Sequence, residues 1–216
     1  MRKSEKTREK ILDVALARFR KEGFDGTTMR DVAKDAGVAL GAAYYYFPSK
    51  DALVMAYYER IQDEHLEKAR VAFAQSKSFR DRLRVAMHTK LDLVAKDRKL
   101  LGAVFRTVGD PENPLSTFGP ATAPIRKASI AVFDEAVGAE PLPPDMRKLA
   151  PTALWMLHLG VLLYFIHDRS RGQVRTRKLV DGLVDMVGDA MGLLALPGLE
   201  PVRAQIGALL ALVKEE

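Results

Sequence analysis

Apolar positions recur at helical spacing along almost the whole chain. Ile11, Ala15, Leu16 and Phe19 form one stripe, and Gly23 follows where a helix C-terminus favours glycine. Thr27 or Thr28 is placed to cap a second, short helix from Met29 to Ala36; Asp31 stands three residues after Thr28 in the position of a capping-box acid, and Gly37 stops the helix. A third short helix is expected from Leu40 to Tyr46, before Pro48-Ser49 breaks the chain. Ser49 can cap a fourth, whose stripe of Leu53, Val54, Tyr57, Tyr58 and Ile61 fits the 3.6-residue period. Further helices are expected over 79–97, 98–108, 123–137, 146–168 and 176–195, then an amphipathic one carrying Val202, Ile206, Leu209, Leu210 and Val213. The segments GDPENPLSTFGPA (109–121) and GAEPLPP (138–144) read as breaks. No alternating strand pattern and no internal repeat stand out, so the expected fold class is all-α.

Composition narrows the functional classes. The 216 residues are 48% hydrophobic and 29% charged, with a net charge of +6, which suits a globular protein able to meet an anionic partner. The basic excess is uneven: residues 1–21 hold eight Lys or Arg against three acids. Cysteine is absent, which removes disulfides, thiol nucleophiles and cysteine metal sites. The N-terminus MRKSEKTREK lacks the apolar core of a signal peptide. One run, Leu149 to Ile166, is free of Asp, Glu, Lys and Arg over 18 residues. It contains Pro151, Thr152 and His158 and has no counterpart elsewhere, so it reads as a buried helix of a cytoplasmic protein, not a membrane span. His65, His88, His158 and His167 show no metal-ligand spacing, and no phosphate loop or nucleophile elbow appears. Neither enzymatic activity nor a cofactor is expected.

The informative stretch is Thr27 to Leu53, TTMRDVAKDAGVALGAAYYYFPSKDAL. It encodes a helix, a tight turn at Gly37 and a second short helix, the layout in which the second helix enters the DNA major groove. Val32, Ala33, Val38, Ala43 and Phe47 would lock the pair, and small Ala33 and Ala36 allow close approach. Residues 7–55 resemble the TetR family of regulators: Phe19, Gly23 and Phe24, then Thr27-Thr28, Asp31-Val32-Ala33, Ala36-Gly37-Val38, Gly41, Tyr44, Tyr46-Phe47, Ser49-Lys50 and Leu53. The resemblance implies a three-helix helix-turn-helix domain over 1–50 and a helical domain for ligand binding and dimerisation over 51–216. It implies that Leu40, Gly41, Ala42, Tyr44, Tyr45 and Tyr46 face DNA, and that Thr28, Arg30, Tyr46 and Lys50 hold phosphates. Simple geometry agrees in part: successive helical residues turn by about 100°, so three adjacent tyrosines cannot all face inward. The basic stretch 2–10 would act as an arm reaching further along the duplex. Two positions depart from the pattern. Ala39 stands where the family often caps the recognition helix with serine, and Leu40-Gly41-Ala42 offers base edges no polar side chain.

For the remainder, the resemblance implies an apolar ligand cavity and a dimer made by two late helices. Met87, Leu91, Phe105, Phe118, Trp155 and His158 are candidate cavity liners, with ordinary core packing as the competing reading for each. Gly188 and Gly192 would let a partner helix come close. Asp181, Asp185 and Asp189 form an acidic stripe, expected to be solvated or paired with the basic run Arg169, Arg171, Arg175, Arg177 and Lys178 rather than to bind metal. The expected protein is a homodimeric, ligand-responsive repressor that binds palindromic duplex DNA and is released by a small apolar molecule. A constitutive DNA-binding regulator or an activator is the alternative.

Overall fold

The computed structural model describes residues 3–108, 110, 112–138 and 140–211. The helices are α1 (Lys3–Glu22), α2 (Met29–Ala36), α3 (Leu40–Tyr46), α4 (Lys50–Phe73), α5 (Phe79–Val94), α6 (Arg98–Val108), α7 (Ala123–Val137), α8 (Pro144–His167), α9 (Val174–Leu194) and α10 (Glu200–Ala211). No strand occurs among the described residues. The chain forms two compact units: one from residues 1–63 with 94–126, the other from 64–93 with 127–216. Neither unit is contiguous in sequence. The first half of α4 contributes Leu53, Val54 and Tyr57 to the core of the first unit, which is why that unit extends past the helix-turn-helix.

In the first unit, Ile11, Leu12, Ala15, Leu16 and Phe19 form the buried face of α1, which packs on α2 and α6. Burying one such large apolar side chain contributes about 1.5–3 kcal/mol. The surface pairs Arg18–Asp35 (2.7 Å) and Arg60–Asp13 (2.6 Å) each add under about 1 kcal/mol, so they orient helices that the apolar face holds. Each expected punctuation residue acts as read. Gly23 and Gly37 take left-handed backbone, with φ of 83° and 65°, and Ser49 Oγ accepts from the Ala52 N–H at 3.1 Å. The single helix expected over 79–97 is instead interrupted. α5 ends at Val94, and a 3₁₀ turn over Ala95–Asp97 precedes α6. That turn brings Asp97 inside, where Arg20 and Tyr57 bind its carboxylate.

The second unit holds α5, α8, α9 and α10, the latter half of α4 and most of α7. α8 packs on both α9 and α10. By length and composition α8 could cross a membrane, yet Pro151, Thr152, Leu154, Trp155, His158, Val161 and Phe165 are buried within the protein. The aspartate stripe of α9 does not meet the 169–178 basic run. It meets α5: Arg80 donates to Asp189 at 2.6 Å, Arg84 to Asp185 at 3.0 Å, and His88 lies 3.0 Å from Asp181. Both helices advance about one turn per four residues, so equal spacing puts Arg80, Arg84 and His88 opposite the three aspartates. Arg177, from the basic run, reaches Asp92 on α5 instead. Gly188 makes room for α5: a Cβ there would lie 2.4 Å from the Arg80 guanidinium, whereas one at Gly192 would meet nothing within 4 Å. Arg203 anchors α10 by donating to Asp145 and to the Leu194 carbonyl, both at 2.9 Å. The breaks at 109–121 and 138–144 are present, with a 3₁₀ turn at Pro120–Thr122 ending the first. Gly109, Pro111 and Ala139 lie outside the described residues, as do Val213 and the Leu210 side chain of the final stripe.

Candidate nucleic-acid interface and effector site

The interface begins with a cap. Thr28 Oγ1 accepts from the Asp31 N–H (3.2 Å) and donates to the Asp31 carboxylate (2.6 Å), which also accepts from the Thr28 N–H (3.1 Å). These bonds hold the Asp31 carboxyl below the usual carboxylate range. Thr27 is buried and donates to the Gly23 carbonyl at 2.8 Å, so of the two threonines Thr28 is the cap. Its hydroxyl is engaged in capping, and Arg30 beside it is exposed. α3 has no side-chain cap at Ala39, which forgoes about 1 kcal/mol. Burial of Ala43 and Phe47 seats α3.

Locked in this way, α3 presents the residues expected to meet DNA. Leu40, Gly41 and Tyr44 are exposed, Ala42 and Tyr46 half-buried, and Tyr45 is 82% exposed. The Tyr45 and Tyr46 rings stand edge-to-face, 5.2 Å between centroids. A Cβ at Gly41 would meet nothing within the protein. Packing therefore gives no reason for a residue that costs a helix about 1 kcal/mol relative to alanine, whereas close approach to another body does. Lys50 donates to the Phe24 carbonyl at 2.7 Å and lies 4.5 Å from the Phe24 ring centroid. An ammonium has three donors, so this tether fixes the cation and leaves donors for a phosphate. The stretch 3–10 is not an extended arm: it forms the first turns of α1, with Arg8 stacked over Phe47 at 5.0 Å. Its helical hydrogen bonding rules out the extended form a minor-groove arm needs, and Arg2 lies outside the described residues.

The candidate effector residues separate. Phe105 and Phe118 belong to the first unit, with Phe118 49% exposed. Met87, Leu91, Trp155 and His158 are buried in the second. Around His158 the structure gathers groups that sequence spacing did not associate. The rings of His158 and Phe133 lie 5.4 Å apart, and those of His158 and His65 6.4 Å apart and nearly parallel. His65 Nε2 lies 2.8 Å from the Ala86 carbonyl. His65 Nδ1 and both His158 ring nitrogens are buried with no hydrogen-bond partner among the described residues. Each such atom costs about 1–3 kcal/mol. Burial, with the nearby Lys90 charge, pushes His65 down to about 3 and His158 well below its ordinary value, and burial pushes Lys90 down to about 7. A separate apolar cavity of about 230 Å³ lies between α8, α9 and α10, lined by Leu149, Leu154, Leu157, Met191 and Leu194 among others. None of the six residues expected to line a cavity borders it.

A capped helix-turn-helix with an exposed second helix, at the head of an all-helical chain, defines a DNA-binding transcription regulator. The comparisons give the family. Residues 11–57 match the model described as "Bacterial regulatory proteins, tetR family", and residues 82–202 match "Tetracyclin repressor-like, C-terminal domain". The chain belongs to the TetR family of transcriptional regulators. Among curated relatives, the probable HTH-type transcriptional regulator ArpR of Pseudomonas putida is 32% identical over 102 residues, 47% of this chain and 42% of that one. The chain thus spans less than half the length of that relative. A TetR regulator from Nitrosomonas europaea superposes with a TM-score of 0.68 at 21% identity, covering 83% of this chain and 96% of that one. FadR of Thermus thermophilus, described as a TetR-family repressor in complex with lauroyl-CoA, gives a TM-score of 0.61 at 21% identity, covering 82% and 92%. At these identities the two structures establish the fold.

Proposed function

We propose that the protein is a cytoplasmic repressor that binds a palindromic operator as a homodimer and is released by a small, largely apolar effector. The observation that carries this reading is the outward face of α3, from Leu40 to Tyr46, on a helix whose other side is locked by Ala43 and Phe47. Leu40, Gly41, Ala42, Tyr44, Tyr45 and Tyr46 are assigned to the major groove. Arg30, Tyr46, Lys50 and the backbone around Thr28 are assigned to phosphates. With no polar group on Leu40-Gly41-Ala42, readout rests on apolar contact with thymine methyls, tyrosine hydroxyls and DNA shape. Dimerisation is supported by apolar residues left exposed on two adjacent helices: Leu163 and Tyr164 on α8, and Leu179, Met186 and Leu193 on α9. Gly160 and Gly182 on those helices meet nothing within the chain, and a partner helix approaches most closely at such positions. This use of the α8 surface also argues against a membrane role. The effector is supported by the buried ring cluster around His158, whose nitrogens left unpartnered among the described residues lie in an apolar interior; the Thermus protein supplies by analogy only that this fold can hold a small-molecule ligand.

Selection of bound sequences from random duplex DNA tests the reading. Recovery of one inverted repeat is expected. Recovery of no enriched sequence defeats operator binding, and an operator complex that no small molecule releases favours a constitutive regulator.

A further inference from the structure

We propose that His65 and His158 form the recognition point of the effector site, and that the effector is an uncharged apolar molecule carrying a hydroxyl donor. The inference rests on the effector reading above and adds the chemistry that reading leaves open.

The tautomers dictate that chemistry. His65 Nε2 faces the Ala86 carbonyl at 2.8 Å. A carbonyl only accepts, so Nε2 carries the proton. The other nitrogen of a neutral ring, Nδ1, then has only a lone pair, and it is buried with no partner among the described residues. Only an incoming O–H or N–H satisfies it; a ketone, ester or carboxylate oxygen would meet it lone pair to lone pair. His158 is 2% exposed, and both its nitrogens are unpartnered among the described residues. Kept neutral by burial, it offers one donor and one acceptor. A hydroxyl, which donates and accepts at once, answers both rings, and at 6.4 Å between centroids they are close enough for one small group to serve them.

The surroundings select the rest of the molecule. Phe133 stands 5.4 Å from His158, and Met87, Leu91 and Trp155 are buried in the same unit. The aromatic ring beside His158 and the apolar interior of this unit suit a hydrocarbon or aromatic body. A divalent cation fits poorly: no group of three metal-ligating His, Cys, Asp or Glu exists among the described residues, and a lysine, Lys90, stands near enough to act on both rings.

The test uses thymol, its methyl ether and p-cymene, which share one apolar body and differ at the oxygen. Isothermal titration calorimetry of the full-length protein is expected to show thymol binding about 10-fold tighter than the ether, the value of one well-made neutral hydrogen bond. His158→Phe and His65→Phe are expected to bring the two affinities within about twofold of each other. Side-chain ¹⁵N spectra of the wild type give a second measure that needs no variant: the His65 Nδ1 signal moves with thymol and stays with the ether. Equal affinities in the wild type, no binding of any of the three, or an immobile His65 Nδ1 signal overturn the proposal; the last is also the result if water alone serves these nitrogens. Selection on duplex DNA is run in parallel. Operator binding without hydroxyl discrimination removes this site and leaves the regulator; discrimination without DNA binding does the reverse.

Discussion

Arg20 on α1 grips Asp97 in the turn before α6 with bonds of 2.5 and 3.2 Å, across 77 residues of chain. Asp97 is 2% exposed and also accepts from Tyr57 of α4 at 2.8 Å. One buried carboxylate thereby ties the first DNA-head helix, the start of α4 and the entry to α6 within a single unit. Burial and the adjacent Asp97 carboxylate push the Tyr57 phenol far above its usual range, so this hydroxyl remains a donor at any physiological pH. Arg20→Leu strands the buried charge and is expected to lower the unfolding free energy by about 3 kcal/mol. Arg18→Leu frees only the exposed Asp35 and costs under about 1 kcal/mol. Urea denaturation compares them, and equal losses contradict the role given to Asp97.

Lys50→Met keeps the stem over Phe24 while removing the charge. Affinity for every duplex is expected to fall alike, and the slope of log affinity against log salt to flatten by about 0.9, one phosphate's worth. Titrations at several salt concentrations measure this. A changed sequence preference with the original slope would place Lys50 at a base instead.

Gly41→Ala separates folding from binding. Because the added methyl meets nothing in the protein, the variant is expected to be more stable by about 1 kcal/mol and to bind operator at least tenfold more weakly, through the clash with DNA. Thermal melts and a binding isotherm suffice. Unimpaired binding refutes the assignment of α3 to the groove.

Leu163→Asp with Met186→Asp places charge on the exposed faces of α8 and α9 without touching the buried core. The wild type is expected to scatter light as a dimer and the double variant as a folded monomer with weakened operator binding. A double variant that stays dimeric moves the interface elsewhere.

Stability is expected to fall as pH drops below about 6.5, the ordinary histidine value. The folded state keeps His65 neutral down to about 3 and holds His158 well below its ordinary value. Between those limits the unfolded chain binds protons that the folded chain refuses, so acid favours unfolding, by up to about 1.4 kcal/mol per pH unit for each histidine. Above pH ~7 neither state titrates these rings, and the rise continues through Lys90, which loses its proton at about 7 in the folded protein and only near its ordinary, higher value in the unfolded chain. Urea titrations from pH 7.5 to 5.5 are expected to show the slope, reduced in His158→Phe; an unchanged slope in that variant shows that His158 is protonated in the folded state.

The amino-acid order alone determined every helix and most of their ends. Those features are local: stripes of Ile11, Ala15 and Leu16, caps at Thr28 and Ser49, and left-handed turns at Gly23 and Gly37 act within a few residues. The exposed face of α3 was legible for the same reason, since three consecutive tyrosines must point different ways. What tertiary structure decided was pairing at a distance. Nothing in the spacing shows that Asp97 leaves its helix for Arg20, or that the aspartates of α9 choose Arg80 and Arg84 over the nearer run of arginines. The same holds for His65 stacking near His158. Each partner sits far away in the chain, and which helices become neighbours depends on how all the apolar faces are buried together, a sum over the whole fold that no local pattern contains.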